Sequence, residues 1–296
     1  EGRDKLTYSV GEPVDRFGLW AEQLVAESTG KEGKGILPVE GEPFGPPGVY
    51  GEDRFFVRIG GPGESAVSAR LAELEGAGHP VATFSVRDAY DLGAEMFRWE
   101  FATALAGALL GIDPFDQPNV QEAKDRTNEI LSAEPSKGAS EPAPEDALGR
   151  LLETLRPGDY FAVTAYVPAT RENEERLARI RIPVRDAKRV ATTVGFGPRF
   201  LHSTGQLHKG GPDTGVFLQV TAEPGAPVPI PGRPHGFGEV VAAQAAGDLA
   251  ALLSRGTRAL HVHLREGVSA GLDALAEVVS AAVGAEPAER AGKEGR

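Results

Sequence analysis

Residues 160–196 read YFAVTAYVPATRENEERLARIRIPVRDAKRVATTVGF. A short apolar run at 160–167 gives way to a charged stretch with helical spacing at 172–180, and a second apolar run fills 190–196. Runs of that length are strand-like, while apolar residues three and four apart mark a helix face. The alternation continues with strands at 216–222 and 259–264 and helices at 237–254 and 268–283. Short strands alternating with amphipathic helices predict an α/β fold, a mainly parallel sheet covered by helices on both faces. In such sheets ligands usually sit at the carboxyl ends of the strands.

Towards the N-terminus, 14–26 carries Val14, Phe17, Trp20, Ala21 and Leu24 at helical spacing, with Gly30 as the stop. The Pro- and Gly-rich stretch 40–49 reads as a loop, and RFFVRI (54–59) and VATFSV (81–86) read as strands. Asp88 is placed to cap a long helix through Phe97, Phe101, Leu105 and Leu109, which Gly111 ends. Residues 111–131, GIDPFDQPNVQEAKDRTNEIL, turn at their prolines and become helical near Asn119, where Glu122 completes an approximate capping box. SAEPSKGASEPAPE (132–145) is a low-complexity linker or surface loop, and AEPAERAGKEGR (285–296) is a frayed tail. The expected organisation is a first region at 1–132, a linker at 133–147, a second α/β region at 148–284 and the tail.

Composition excludes several chemistries. The chain of 296 residues has no cysteine, which rules out disulfides, zinc–thiolate sites and thiol nucleophiles. A net charge of −12 argues against non-specific nucleic-acid binding, which needs clustered Lys and Arg. No run approaches the ~18 uncharged apolar residues of a membrane helix. The N-terminus has no signal segment either, so a cytoplasmic location is expected. The only methionine is Met96, so the chain is expected to be part of a longer polypeptide.

Three segments could carry chemistry. In EQLVAESTGKEGKG (22–35), Gln23 and Glu27 are four residues apart and share a helix face. Glu27 falls in the last helical turn, where the negative end of the dipole disfavours its charged form and moves it towards a useful general base. Glycines 30, 33 and 35 would let backbone approach a ligand. Periodicity alone also allows a plain helix end followed by a basic turn. FDQPNVQEAK (115–124) holds Gln117 and Lys124, and a helix N-terminus with a lysine suits an anion or developing oxyanion. A lysine there is also an ordinary solvated side chain. GPRFLHSTGQLHKGGP (197–212) brings His202, Gln206, His208 and Lys209 together. Histidine suits acid–base work near neutrality, whereas its spacing here, with no nearby carboxylate, is poor for a metal. A capped helix start with surface histidines is the simpler alternative. His261 and His263 alternate on a predicted strand and read as structural or exposed.

Taken together, these segments resemble the glucose-6-phosphate isomerase family. AESTGKEGKGILP (26–38) is similar to its ESxGK segment, FDQPNVQEAK to its FDQxGVExxK signature, and FLHSTGQ (200–206) to its HSxGQ segment. The resemblance spans roughly residues 3–264. It implies a fold of the sugar-isomerase (SIS) type and interconversion of glucose 6-phosphate and fructose 6-phosphate through a cis-enediol. It implies Glu27 as the catalytic base, with Lys124 and His202 as the other catalytic groups. Gln23, Gln117, Gln206, His208 and Lys209 would contact the sugar phosphate. Neither metal nor organic cofactor is implied, and a homodimer is. The run at 197–212 is similar to the isomerase half of bifunctional transaldolase/glucose-6-phosphate isomerase proteins, which implies further isomerase and transaldolase portions upstream. The order Glu27, Lys124, His202 departs from the family's Glu, His, Lys. The family's phosphate-binding Ser/Thr loop and its arginine have no counterpart in this chain.

Overall fold

The computed structural model describes residues 2–61, 65–116 and 146–284. The first stretch of chain runs β1 (Lys5–Val10), α1 (Phe17–Thr29), β2 (Leu37–Val39), β3 (Arg54–Gly60), α2 (Ser65–Gly76), β4 (Val81–Ser85) and α3 (Asp91–Leu110). The second runs α4 (Ala147–Glu153), β5 (Tyr160–Tyr166), α5 (Arg171–Lys188), β6 (Ala191–Phe196), α6 (Thr204–Gly210), β7 (Gly215–Ala222), α7 (Phe237–Ser254), β8 (Arg258–Leu264) and α8 (Val268–Gly284).

Two four-stranded parallel sheets result, in the orders β2-β1-β3-β4 and β6-β5-β7-β8. Each starts in the middle, steps to one side, then crosses back to the other. Their topologies are therefore the same. All of β5 is buried because both faces are covered. Phe161, Val163 and Ala165 pack towards α5 and α8, while Tyr160 and Ala162 turn the other way. That second face meets the first sheet. Ala26 of α1 and Leu37 and Val39 of β2 share one core with Tyr160, Ala191, Leu207 and Leu252.

A buried ion-pair network reinforces the join. The Arg54 guanidinium on β3 donates from Nη2 to both Glu42 oxygens (3.1 and 3.2 Å) and from Nη1 to Thr7 Oγ1 (2.7 Å). Across the join, Thr192 of β6 donates from Oγ1 to Glu42 Oε2 at 2.7 Å, and Arg181 of α5 stands 3.8 Å from the same oxygen. Burial pushes the Glu42 carboxyl up, but Arg54, Arg181 and the Thr192 hydrogen bond outweigh it and hold the group below its ordinary value.

The helices end as their sequences dictate. Thr170 sits in extended geometry and accepts from Asn173 N, with Glu172 and Glu174 in the first turn of α5 and Arg185 and Lys188 in its last. That helix runs on to Lys188 rather than stopping at 180, carrying Pro183 inside it. Gly111 closes α3 in the left-handed conformation at φ 66°, as expected. Its start differs: α3 begins at Asp91, and Asp88 instead accepts from Tyr90 N at 2.9 Å. The stripe Phe97, Phe101, Leu105 and Leu109 faces outward. The buried face carries Glu95, Trp99, Thr103 and Gly107 because Trp99 packs edge-on against Tyr8 and Phe17.

The capping box at Asn119, the linker at 132–145 and the tail lie outside the described residues. No helix among the described residues is long and apolar enough to cross a membrane.

Candidate functional site

α1 runs back antiparallel to β1, so its last turn lies towards the edge of the sheet where β2 begins at Leu37. Glu27 is therefore at the amino edge, not at the carboxyl ends where ligands are usual in such sheets. A cavity of about 490 Å³ does open past the carboxyl ends of β1 and β2, between Tyr8, Glu40, Phe44 and Val67, away from Glu27.

Glu27 is 8% exposed, and Gln23 donates from Nε2 to its Oε2 at 3.2 Å. Burial raises its pKa above the ordinary carboxylate value. The Gln23 hydrogen bond and the positive charges of His202 and Lys31 pull in the opposite direction without cancelling it. The expected pairing of Gln23 with Glu27 on one helix face is present, and His202, exposed at the end of a 3₁₀ turn, lies within electrostatic reach.

Two glycines explain how the segments come together. A methyl group on Gly30 would stand 2.3 Å from Leu207 Cα, so only glycine lets α6 approach the end of α1 so closely. Gly33, at φ 73°, and Glu32, at φ 55°, are the central residues of a tight reverse turn closed by Lys31 N to Lys34 O (3.0 Å) and Lys34 N to Lys31 O (2.8 Å). These glycines serve chain packing and a turn rather than the close approach to a ligand that the sequence suggested. Gln206 seals the contact, donating from Nε2 to Gly30 O at 2.9 Å, and Gly33 N donates to Gly210 O at 2.9 Å. On the other side, Lys31 Nζ donates to Asp113 O (2.7 Å) and bonds Asp116 O, while Lys34 Nζ donates to Leu110 O at 2.7 Å. The described parts of all three segments thus converge on the turn after Glu27.

Other expected contacts have different settings. Gln206 is a buried clamp between backbones. His208 is buried, stacked on Tyr160 and edge-on to Phe217, and burial lowers its pKa to about 3, with Lys209 adding to the shift. A ring held so strongly neutral inside the core is not placed to touch substrate. Lys209 pairs with Asp248 at 2.6 Å, both side chains nearly inaccessible, which reads as structural instead of substrate-binding. Gln117 and Lys124 lie outside the described residues. His261 and His263 share Thr221 Oγ1, each at 2.8 Å, and are half-buried on β8.

Sequence reasoning missed the charged groups beside α1. Arg199 donates to Glu22 Oε1 (3.4 Å) and Leu19 O (2.9 Å), tying the His202 segment to the helix. Nearby, burial and the charge of Glu22 push Glu40 up to about 7. A carboxyl raised on folding favours the folded state while protonated, and that advantage disappears as pH climbs from about 4.5 to about 7. Glu40→Gln is therefore expected to match the parent in stability below pH 4.5 and to exceed it above pH 7 by about 3 kcal/mol. Urea unfolding at several pH values checks this, and a constant difference across them would contradict it.

No family model matches the chain. The glucose-6-phosphate isomerase of Rubrobacter xylanophilus is 33% identical over 150 residues, covering 38% of this chain and 34% of that protein. That of Enterococcus faecalis is 27% identical over 146 residues, covering 36% and 32%. The chain thus spans about a third of the length of the curated relatives it matches. Among solved structures, a hypothetical protein from Thermus thermophilus superposes with a TM-score of 0.39 at 17% identity, covering 95% of this chain and 77% of that one. The C-terminal domain of glucosamine-fructose-6-phosphate aminotransferase from Francisella tularensis gives 0.30 at 10% identity, covering 96% and 85%. Superpositions that loose support no statement on fold or function. By sequence, a little over a third of this α/β chain is similar to glucose-6-phosphate isomerases.

Proposed function

We propose that the chain is a phosphosugar aldose–ketose isomerase of SIS type that interconverts glucose 6-phosphate and fructose 6-phosphate, with Glu27 moving a proton between C1 and C2. The observation that carries this reading is that the 197–212 segment and Asp116 both meet the turn that follows Glu27, a buried carboxylate with a raised pKa held by Gln23. A base of that kind is better matched to removing a carbon-bound proton near neutrality than an exposed glutamate is. Gln23 orients the carboxylate and faces solvent, where a sugar hydroxyl can reach it. His202, exposed beside Glu27, is assigned ring opening, with Lys124 assisting. Gln117 completes the assignment as a hydroxyl contact. Similarity to glucose-6-phosphate isomerases over a third of their length supports the reaction class. A homodimer and a setting within a longer transaldolase/isomerase polypeptide belong to the same proposal.

The experiment is conversion of fructose 6-phosphate to glucose 6-phosphate by the purified chain, followed by coupled oxidation of the product. Turnover that disappears in His202→Ala and Glu27→Gln supports the reading, and turnover indifferent to both sinks it. The partial coverage of the relatives favours one second reading, a sugar-phosphate-binding or subunit-interaction module. Binding of 6-phosphogluconate with no turnover, even after supplying the rest of a relative's length, would favour that module.

A further inference from the structure

Lys31 is 3% exposed, an unusual setting for an ammonium, which is seldom buried unless its donors are matched. What matches them is backbone: the carbonyls of Asp113 and Asp116, 82 and 85 residues further along the chain. The turn that carries it is strained by design of its hydrogen bonds. Glu32, a residue with a side chain, is held at φ 55°, a conformation that persists only when its surroundings over-determine it. Here the two crossed backbone bonds of the turn and the bond from Gly33 N to Gly210 O do so. Lys34, at the far corner of the same turn, donates to Leu110 O at the open C-terminal end of α3. The turn therefore delivers two ammonium groups to consecutive parts of one distant segment. Lys31 lies four residues beyond Glu27 and contributes to its electrostatics. The groups facing Lys31 are Asp116, Asp113, Glu27 and Glu32, and burial outweighs them in pushing its own pKa down.

We infer that Lys31 is a positioning residue for Glu27: its buried ammonium pins the 113–116 loop to the turn that ends α1 and places one positive charge near the base. This rests on the isomerase reading only for its kinetic consequence. The geometry and the charge act on Glu27 whatever the reaction. Two separable effects follow. Removing the charge raises the pKa of Glu27 further, because one of the influences lowering it is gone. Removing the donors frees the loop.

Lys31→Met and Lys31→Arg in the full chain separate them. Three readouts are needed: amide hydrogen exchange at 111–116, the Glu27 midpoint from carbon-labelled glutamate NMR, and steady-state kinetics with fructose 6-phosphate. For Lys31→Met we expect exchange at 111–116 to rise about ten-fold or more, while the core strands β3 and β5 keep their protection. The Glu27 midpoint should move to higher pH, and kcat should fall on the order of ten- to a hundred-fold with KM within about three-fold. Lys31→Arg should leave the Glu27 midpoint near that of the parent, because the charge remains, while restoring the loop only in part. A parent chain that stays inactive even when the rest of a relative's length is supplied, yet shows the exchange and midpoint changes, would refute the isomerase reading and uphold the role of Lys31. Unchanged exchange together with an unchanged Glu27 midpoint in Lys31→Met would overturn it. Should Lys31→Met lose global protection, Lys31→Gln decides, since it keeps a hydrogen-bond donor while removing the charge: the Glu27 midpoint should still move to higher pH, and a midpoint unchanged there would overturn the role of Lys31.

Discussion

Glu27→Gln is expected to lower turnover of fructose 6-phosphate by ~10²–10⁴, the usual contribution of a positioned acid or base. Glutamine keeps the shape of the side chain and its partner Gln23 while removing the ability to hold a proton. It also removes a buried charge, so the folded chain should lose no stability, and its melting temperature should stay level or rise. The pH dependence carries its own sign. Glu27 must be ionised to accept a proton, and its pKa is raised, so activity should climb through a limb lying above the ordinary carboxylate range. In Glu27→Gln that limb should disappear. A variant that melts well below the parent would mean that the carboxylate serves the fold.

The largest stability effect is expected at Glu42. Its carboxylate is fully enclosed and accepts hydrogen bonds from Arg54 and Thr192, with Arg181 close by. Truncation in Glu42→Ala leaves the guanidinium of Arg54, itself without exposed side-chain surface, buried and uncompensated. Breaking such a buried pair from one side costs about 3–5 kcal/mol. Against a total stability of roughly 5–15 kcal/mol that is a large fraction. Urea unfolding should show it directly, with a fall in melting temperature on the order of 10 °C. A loss below about 1 kcal/mol would mean that the join between the sheets does not depend on the network. Because Glu42 bridges β3, β6 and α5, its loss should also weaken the seating of the 199–210 segment on α1 and so lower activity indirectly.

The α/β class was legible because β5 to β8 hold enough aromatic and β-branched residues to read as strands, although Thr192, Gln219, His261 and His263 interrupt them. β1 was not. Lys5 and Thr7 are buried on it, held by Asp4 and Arg54, so its strand pattern is hidden behind polar residues that only tertiary partners satisfy. β2 is three residues long with Pro38 at its centre, below what any pattern can separate from a loop. Periodicity revealed α3 but misjudged its faces, since the burial of Trp99 decides the orientation and the Phe97 stripe does not. At the site, the pairing of Gln23 with Glu27 follows from helical spacing, and motif resemblance drew attention to His202. That Gln206 would clamp a backbone, Lys209 seek Asp248 and His208 enter the core follows from where α6 docks, which local sequence does not encode. Glu40 and Glu22 were invisible for the same reason. Their interaction exists only because the segment after β2 folds back over α1.

The central claim is that Glu27 carries a proton between C1 and C2 of the sugar phosphate. Incubating the chain with fructose 6-phosphate in D₂O and following C1 and C2 by proton NMR tests it directly. An enediol formed by a carboxylate that exchanges its proton with solvent predicts deuterium at C2 of the glucose 6-phosphate formed and at C1 of recovered fructose 6-phosphate. Both signals should be absent with Glu27→Gln. Equal deuterium incorporation by the parent and Glu27→Gln would contradict the account, because the proton would then be moving through another group.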